Sequence, residues 1–141
     1  MNYDRMKSIR EDAELTQESL ADKLKVSRST YAGWENGIDS IPLVKLNDFC
    51  NYFKISIDYV CGITNYKETR KKNIIIDKVK VGKKLKEIRS RNGDTQKYVS
   101  YIINIEQSSY SNYETGKYLI LTSSIIEFAK NYGVSVEELI K

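Results

Sequence analysis

Apolar residues recur along this chain at spacings of three and four, and one proline and seven glycines are all that punctuate the pattern. That period belongs to amphipathic helices rather than strands, so the chain reads as all-α. Met6 and Ile9 mark the inward stripe of a first helix over about residues 3–13. Thr16 supplies a side-chain N-cap for a second helix, TQESLADKL, whose stripe is Leu20, Ala21 and Leu24. The turn Lys25-Val26 follows, with Val26 directed at the core. Ser27 then caps a third helix, RSTYAGWEN, which points Tyr31 and Trp34 inward and stops at Gly37. Pro42 suits the first turn of a fourth helix carrying Leu43, Leu46, Phe49, Cys50 and Phe53. Ser56 caps a short fifth helix, IDYVC. In the second half the same pattern predicts helices near 80–92, 96–103, 107–115, 122–132 and 136–140.

The two halves are copies of one unit. Residues 9–61 align with residues 88–140 without a gap, each position displaced by 79. Ile9-Arg10 falls on Ile88-Arg89 and Thr16-Gln17 on Thr95-Gln96. Ser29, Tyr31, Glu35 and Gly37 fall on Ser108, Tyr110, Glu114 and Gly116. Where residues differ, apolar character usually persists, as in Leu20/Val99, Trp34/Tyr113 and Leu46/Ile125. Such self-similarity sets the architecture: two tandem five-helix domains, 1–64 and 80–141, joined by a linker over 65–79. Each holds about 60 residues, near the lower limit for a core that folds unaided.

Charge draws attention to the linker. The net charge is +4, yet residues 1–64 hold eight basic and ten acidic side chains, and residues 85–141 hold seven of each. Residues 65–84 hold eight basic against two acidic, so the excess lies between the repeats. It serves either as solvated surface or as a phosphate contact through Arg70, Lys71 and Lys72. Nineteen residues separate Cys61 from Val81, a reach of at most ~63–68 Å.

Composition removes other classes. With no histidine and no CxxC, neither a zinc site nor any other metal site or cofactor is expected. Cys50 and Cys61 occupy apolar positions and read as buried structural thiols, with a regulatory disulfide as the alternative. No window supports a membrane span, and Asp4 and Arg5 stand against a secretory signal, so the expected location is cytoplasmic. No phosphate-cradling glycine loop or nucleophile motif suggests an enzyme, and no aromatic stacking module suggests RNA binding.

Two helices joined by a short turn, the second capped by serine, fit a DNA-binding helix-turn-helix. TQESLADKLKVSRSTYAGWENG closely resembles the phage-repressor or Cro-like family, the xenobiotic-response-element type of bacterial regulator. SIDYVCG is similar to that family's final helix. The motif is weaker in the second repeat, where Glu106 replaces the capping Ser27 and Ser100 replaces Ala21. The resemblance implies that Arg28, Ser29, Ala32 and Gly33, with Gln107, Ser108, Ser111 and Asn112, approach base edges in the major groove. Arg28 has the fork for guanine, and Gln107 or Asn112 could pair with adenine. Ala32 and Gly33 would permit close approach or contact a thymine methyl. Gln17 and Gln96 open helices whose N-termini attract phosphate, and the resemblance gives them backbone contacts along with Asn36 and Lys117. It also implies two structural ion pairs, Arg10 with Glu35 and Arg89 with Glu114.

The expected function is a sequence-specific, double-stranded-DNA-binding transcriptional regulator, a repressor acting by operator occupancy. In the alternative, domain 1 binds DNA while domain 2 mediates homodimer or protein contacts, as in an antitoxin-like or mobile-element regulator. Tyr98, Tyr101, Ile102, Tyr118 and Leu119 favour that use, since repeat 1 has polar residues there. Packing of those side chains against Ile74-Ile75-Ile76 is the other explanation.

Overall fold

A computed structural model describes residues 3–141, with side chains from Asp4 onward. The described residues form ten helices and no strand, arranged as two compact units, Met1–Asn73 and Ile74–Lys141. The first unit contains α1 (Tyr3–Asp12), α2 (Gln17–Lys23), α3 (Arg28–Glu35), α4 (Leu43–Phe53) and α5 (Ile57–Val60). The second contains α6 (Lys78–Arg91), α7 (Gln96–Ile102), α8 (Gln107–Thr115), α9 (Thr122–Tyr132) and α10 (Val136–Ile140).

Side-chain caps start the helices where the sequence places them. Thr16 accepts from the Ser19 amide at 3.0 Å, Ser27 from Thr30 at 3.2 Å and Thr95 from Tyr98 at 3.0 Å. Glu106 gives α8 no such bond, in keeping with its poor capping chemistry. Pro42 stands one position earlier than expected, as the N-cap of α4 rather than in its first turn. The apolar stripes then bury Met6, Leu20, Tyr31, Leu46, Phe49 and Ile57 in one unit. Leu85, Val99, Tyr110, Ile125, Phe128 and Val136 form the matching core of the other. Val26 is only half-buried, while Cys50 and Cys61 are buried free thiols. Ser100 is buried as its alanine counterpart is, because its hydroxyl donates to the Lys97 carbonyl at 2.7 Å and is left with no unmet donor. In the second unit α6 crosses α8 at Gly82, where a Cβ would collide with the carbonyl oxygens of Tyr113 and Glu114. Only glycine lets the two backbones come that close.

The expected linker is not a free tether. Residues 65–73 fold back onto the first unit as a strap. An isolated antiparallel bridge joins Ile55 to Thr69, Ser56 N–H donates to Glu68 O at 2.9 Å, and Arg70 N–H donates to Lys54 O at 2.8 Å. The Arg70 side chain is 5% exposed. Its guanidinium donates to the side-chain oxygens of Asn47 and Asn51, each at 2.8 Å. This corrects the assignment of Arg70 to the DNA backbone, because its donors are turned inward onto α4. Lys71 and Lys72 remain exposed. At the other end, helix α6 begins at Lys78, inside the span expected to be linker. Of the intervening isoleucines, Ile75 is exposed, and Ile74 and Ile76 are half-buried.

Arg70→Gln should therefore destabilise the first unit by about 1.5–3 kcal/mol, the range for hydrogen bonds to a charged group. Calorimetry of the whole chain would register this as an earlier transition. An unchanged transition, with a flatter salt dependence of DNA binding, would return Arg70 to the phosphate contacts.

Candidate nucleic-acid interface

In each unit a buried ion pair fixes the third helix to the first. Arg10 Nε donates to Glu35 Oε2 at 3.0 Å and Arg10 Nη2 to Oε1 at 2.7 Å, while Nη1 caps the Leu15 carbonyl at 2.8 Å. Arg89 repeats this arrangement on Glu114 at 2.6 and 2.9 Å, and on the Asp94 carbonyl at 3.0 Å. Two parallel bonds between planar groups define orientation as well as distance. Burial is the largest single influence and pushes the two glutamates toward higher pKa, but the arginine together with the neighbouring tyrosine and glutamine outweighs it and holds both below the ordinary value of 4.5. The Tyr31 and Tyr110 hydroxyls lie buried in the same layer without a well-formed hydrogen bond. Burial, then the neighbouring glutamate, raises the pKa of each phenol. These four charged residues serve structure, as the resemblance implied.

The same glutamates hold the first residue of the second helix. Gln96 donates to Glu114 at 3.0 Å, and Gln17 makes a longer contact of 3.4 Å with Glu35. A carboxamide carries two N–H donors, so the bond to the glutamate uses only one of them on each glutamine. On α3, Arg28 and Ser29 are exposed and Ala32 is half-buried. Asn36, the C-cap of α3, is exposed. Gly33 departs from expectation: it is buried beneath Asp39, so it offers neither close approach nor methyl contact. On α8, Gln107 and Ser108 are exposed, and Ser111 and Asn112 are half-buried. Lys117 is exposed, with its ammonium 5.5 Å from the centre of the Tyr118 ring. All these groups except Gly33 thus reach the surface of their own unit, within or beside the second and third helices.

Both repeats match known helix-turn-helix families. Residues 6–60 match a family model described as helix-turn-helix, of the Cro/C1-like repressor type, and residues 82–141 match a second, described as a helix-turn-helix domain. The chain consists of two tandem helix-turn-helix domains. An uncharacterized HTH-type transcriptional regulator, YobD of Bacillus subtilis (strain 168), is 34% identical over 65 residues, 46% of this chain. That match spans 58% of the relative's length, so the two proteins are not alike end to end. The crystal structure of the restriction-modification controller protein C.AhdI from Aeromonas hydrophila overlaps 45% of this chain and 97% of its own, at 25% identity and a TM-score of 0.43.

Several residues that organise the helix-turn-helix domains escape sequence reasoning. Arg5 donates to the carbonyls of Tyr59 and Thr64 and lies 4.3 Å from the Tyr59 ring centre, tying α1 to the chain beyond α5. Tyr132 donates to Asp94 at 2.6 Å, anchoring α9 to the turn before α7. Neither pairing has a sequence signature, although the repeat alignment sets Tyr132 opposite Phe53, which lacks its hydroxyl, while Arg5 lies outside the aligned residues. Among the described residues no group of His, Cys, Asp or Glu is placed to hold a metal, and no helix is long and apolar enough to cross a membrane.

Arg10→Ala strands Glu35 in the core and should cost about 3–5 kcal/mol, visible as a lowered melting temperature. Weakened DNA binding at an unchanged melting temperature would contradict the structural role. The depressed glutamates add a pH dependence with a definite sign. Their contribution is complete above about pH 4.5 and declines as pH falls through the lower folded-state value. Glu35→Gln should therefore be less stable than the parent at neutral pH and converge with it in acid. A gap that is constant with pH would rule this linkage out.

Proposed function

We propose that the protein is a sequence-specific, double-stranded-DNA-binding transcriptional regulator that represses by occupying its operator. One observation carries the reading. In each domain a bidentate buried ion pair holds a short helix whose leading residues, Arg28-Ser29 or Gln107-Ser108, are exposed and polar. A helix so held can carry those side chains into a major groove with little loss of freedom on binding. Arg28 presents two parallel donors to guanine O6 and N7, and Gln107 and Asn112 have amides suited to adenine. Ser29, Ser108 and Ser111 add adaptable hydroxyls, and Ala32 leaves room for the base edge. Gln17, Gln96, Asn36 and Lys117 fix register on the phosphates, and Lys71 and Lys72 add salt-dependent attraction. The relative's designation as a transcriptional regulator supports the same reading.

Domain 2 supports a second use. Tyr101 is 81% exposed, and Tyr98 and Tyr118 are exposed beside half-buried Ile102 and Leu119. Repeat 1 carries Asp22, Ser19 and Asp39 at the three tyrosine positions. Aromatic side chains of that exposure suit contact with a second copy or a protein partner. This use is compatible with DNA binding by domain 1.

Arg28→Ala should lower affinity for the selected site by about 1–3 kcal/mol and relax preference at one base pair. Titration against selected and scrambled duplexes would measure both, and equal weakening on the two would demote Arg28 to a phosphate contact. Gln107→Ala with Asn112→Ala should erase preference in one half-site without altering the sedimentation coefficient. If domain 2 serves association instead, Tyr101→Ser with Ile102→Ser will lower that coefficient while base preference persists.

A further inference from the structure

We propose that Asp39, a loop residue, supplies the base-reading group missing at Gly33, and that it selects cytosine in the half-site read by domain 1. The assignment rests on the DNA-reading function above. Gly33 lies one helical turn beyond Ser29, on the same face of α3, and has no side chain to offer. The space its Cβ would fill is taken: a methyl group there would stand 2.5 Å from Asp39 Oδ2 and 3.4 Å from Asp39 Cγ. The loop is held to the helix at that place. The Ile38 and Asp39 amides both donate to the Gly33 carbonyl, at 2.9 and 3.1 Å. Asp39 itself is exposed, so its carboxylate sits on the reading face while still open to a partner.

Domain 2 keeps the same loop geometry and reverses the division of labour. Lys117 and Tyr118 donate to the Asn112 carbonyl at 3.0 and 3.4 Å. There the amide grows from the helix at the position of Gly33, and the loop carries a tyrosine in place of Asp39. One domain places its polar group at this point from the helix, the other from the loop.

The chemistry of a carboxylate narrows the target. It accepts hydrogen bonds only, so it is repelled by guanine O6 and N7, by thymine O4 and by the phosphates. Adenine N6 donates, but the N7 acceptor beside it faces the same carboxylate. Cytosine presents the N4 donor with no neighbouring acceptor on its own edge. Asp39 therefore rewards one base and penalises the others, and part of its specificity is repulsion.

Selection from a random duplex pool with the full-length chain tests this. The parent should enrich a cytosine at one position of a half-site, and Asp39→Ala should lose that preference. Discrimination against the other bases should fall about 5- to 150-fold, the range for one direct base contact. Binding to scrambled duplex should meanwhile hold or improve, because a negative charge has left the surface. Asp39→Asn should move the preference to adenine, which an amide pairs with bidentately. Gly33→Ala should mimic Asp39→Ala with the charge still present, since its methyl group displaces the carboxylate. A cytosine preference that survives Asp39→Ala overturns the assignment and leaves the DNA-reading function standing. No sequence preference in the parent protein overturns both.

Discussion

An arginine on the first helix of each repeat reaches a glutamate 25 residues further along the chain, and the placement of the third helix depends on that bond. Desolvating the two charges is costly, so the pair contributes little net stability compared with an apolar contact of equal size. Its value is directional. The forked guanidinium meets both carboxylate oxygens, caps the carbonyl of Leu15 or Asp94 with its remaining nitrogen, and leaves the helix one orientation. Gln17 and Gln96 join the same carboxylates, so the start of the second helix is indexed to the end of the third. In domain 2 the close crossing at Gly82 adds a steric limit to the electrostatic one.

Because the anchor is internal, the outer faces of the two domains can diverge without cost to the fold. Arg28 faces Gln107 in the alignment, Asp22 faces Tyr101, and the Gly33–Asp39 couple faces Asn112 and Tyr118. None of these exchanges touches the ion pair or the apolar stripe. Two domains with one frame and unlike faces can therefore make different contacts without altering how either is held together.

Local rules made most of the fold legible in the sequence. Thr16, Ser27, Ser56 and Thr95 each accept from a backbone amide three residues on, and each was readable from its own neighbourhood. The ion pairs were legible by resemblance and by their recurrence at the same offset. What failed depended on where a loop returns. Arg70 reads as one member of a basic run until the strap is seen to carry it onto Asn47 and Asn51, two amides one turn apart on α4. Gly33 reads as an open helix face until Asp39 is seen to cover it. In both cases the residue's role is decided by a contact that neither periodicity nor capping encodes. The repeat alignment carried one usable hint, since Asp39 and Gly33 both lose their side-chain type in the second copy.

The strap also changes how charge should act. A basic block between two neutral domains would grip phosphate through a flexible tether, as a polybasic arm does. The folded chain instead assigns Lys67, Arg70, Lys71 and Lys72 to the first unit and the following lysines to α6. Counted by unit, residues 1–73 carry 12 basic and 11 acidic side chains, and residues 74–141 carry 11 and 8. Arg70 is spent inside the first unit, and Lys84 is engaged by the Glu138 and Lys141 carbonyls at 2.7 and 2.8 Å. Two of the block's eight cations are thus engaged within their own units, while Lys67, Lys71, Lys72, Lys78, Lys80 and Lys83 stay exposed. Positive charge is then divided between the two units and fixed on folded surfaces, rather than concentrated on one flexible arm.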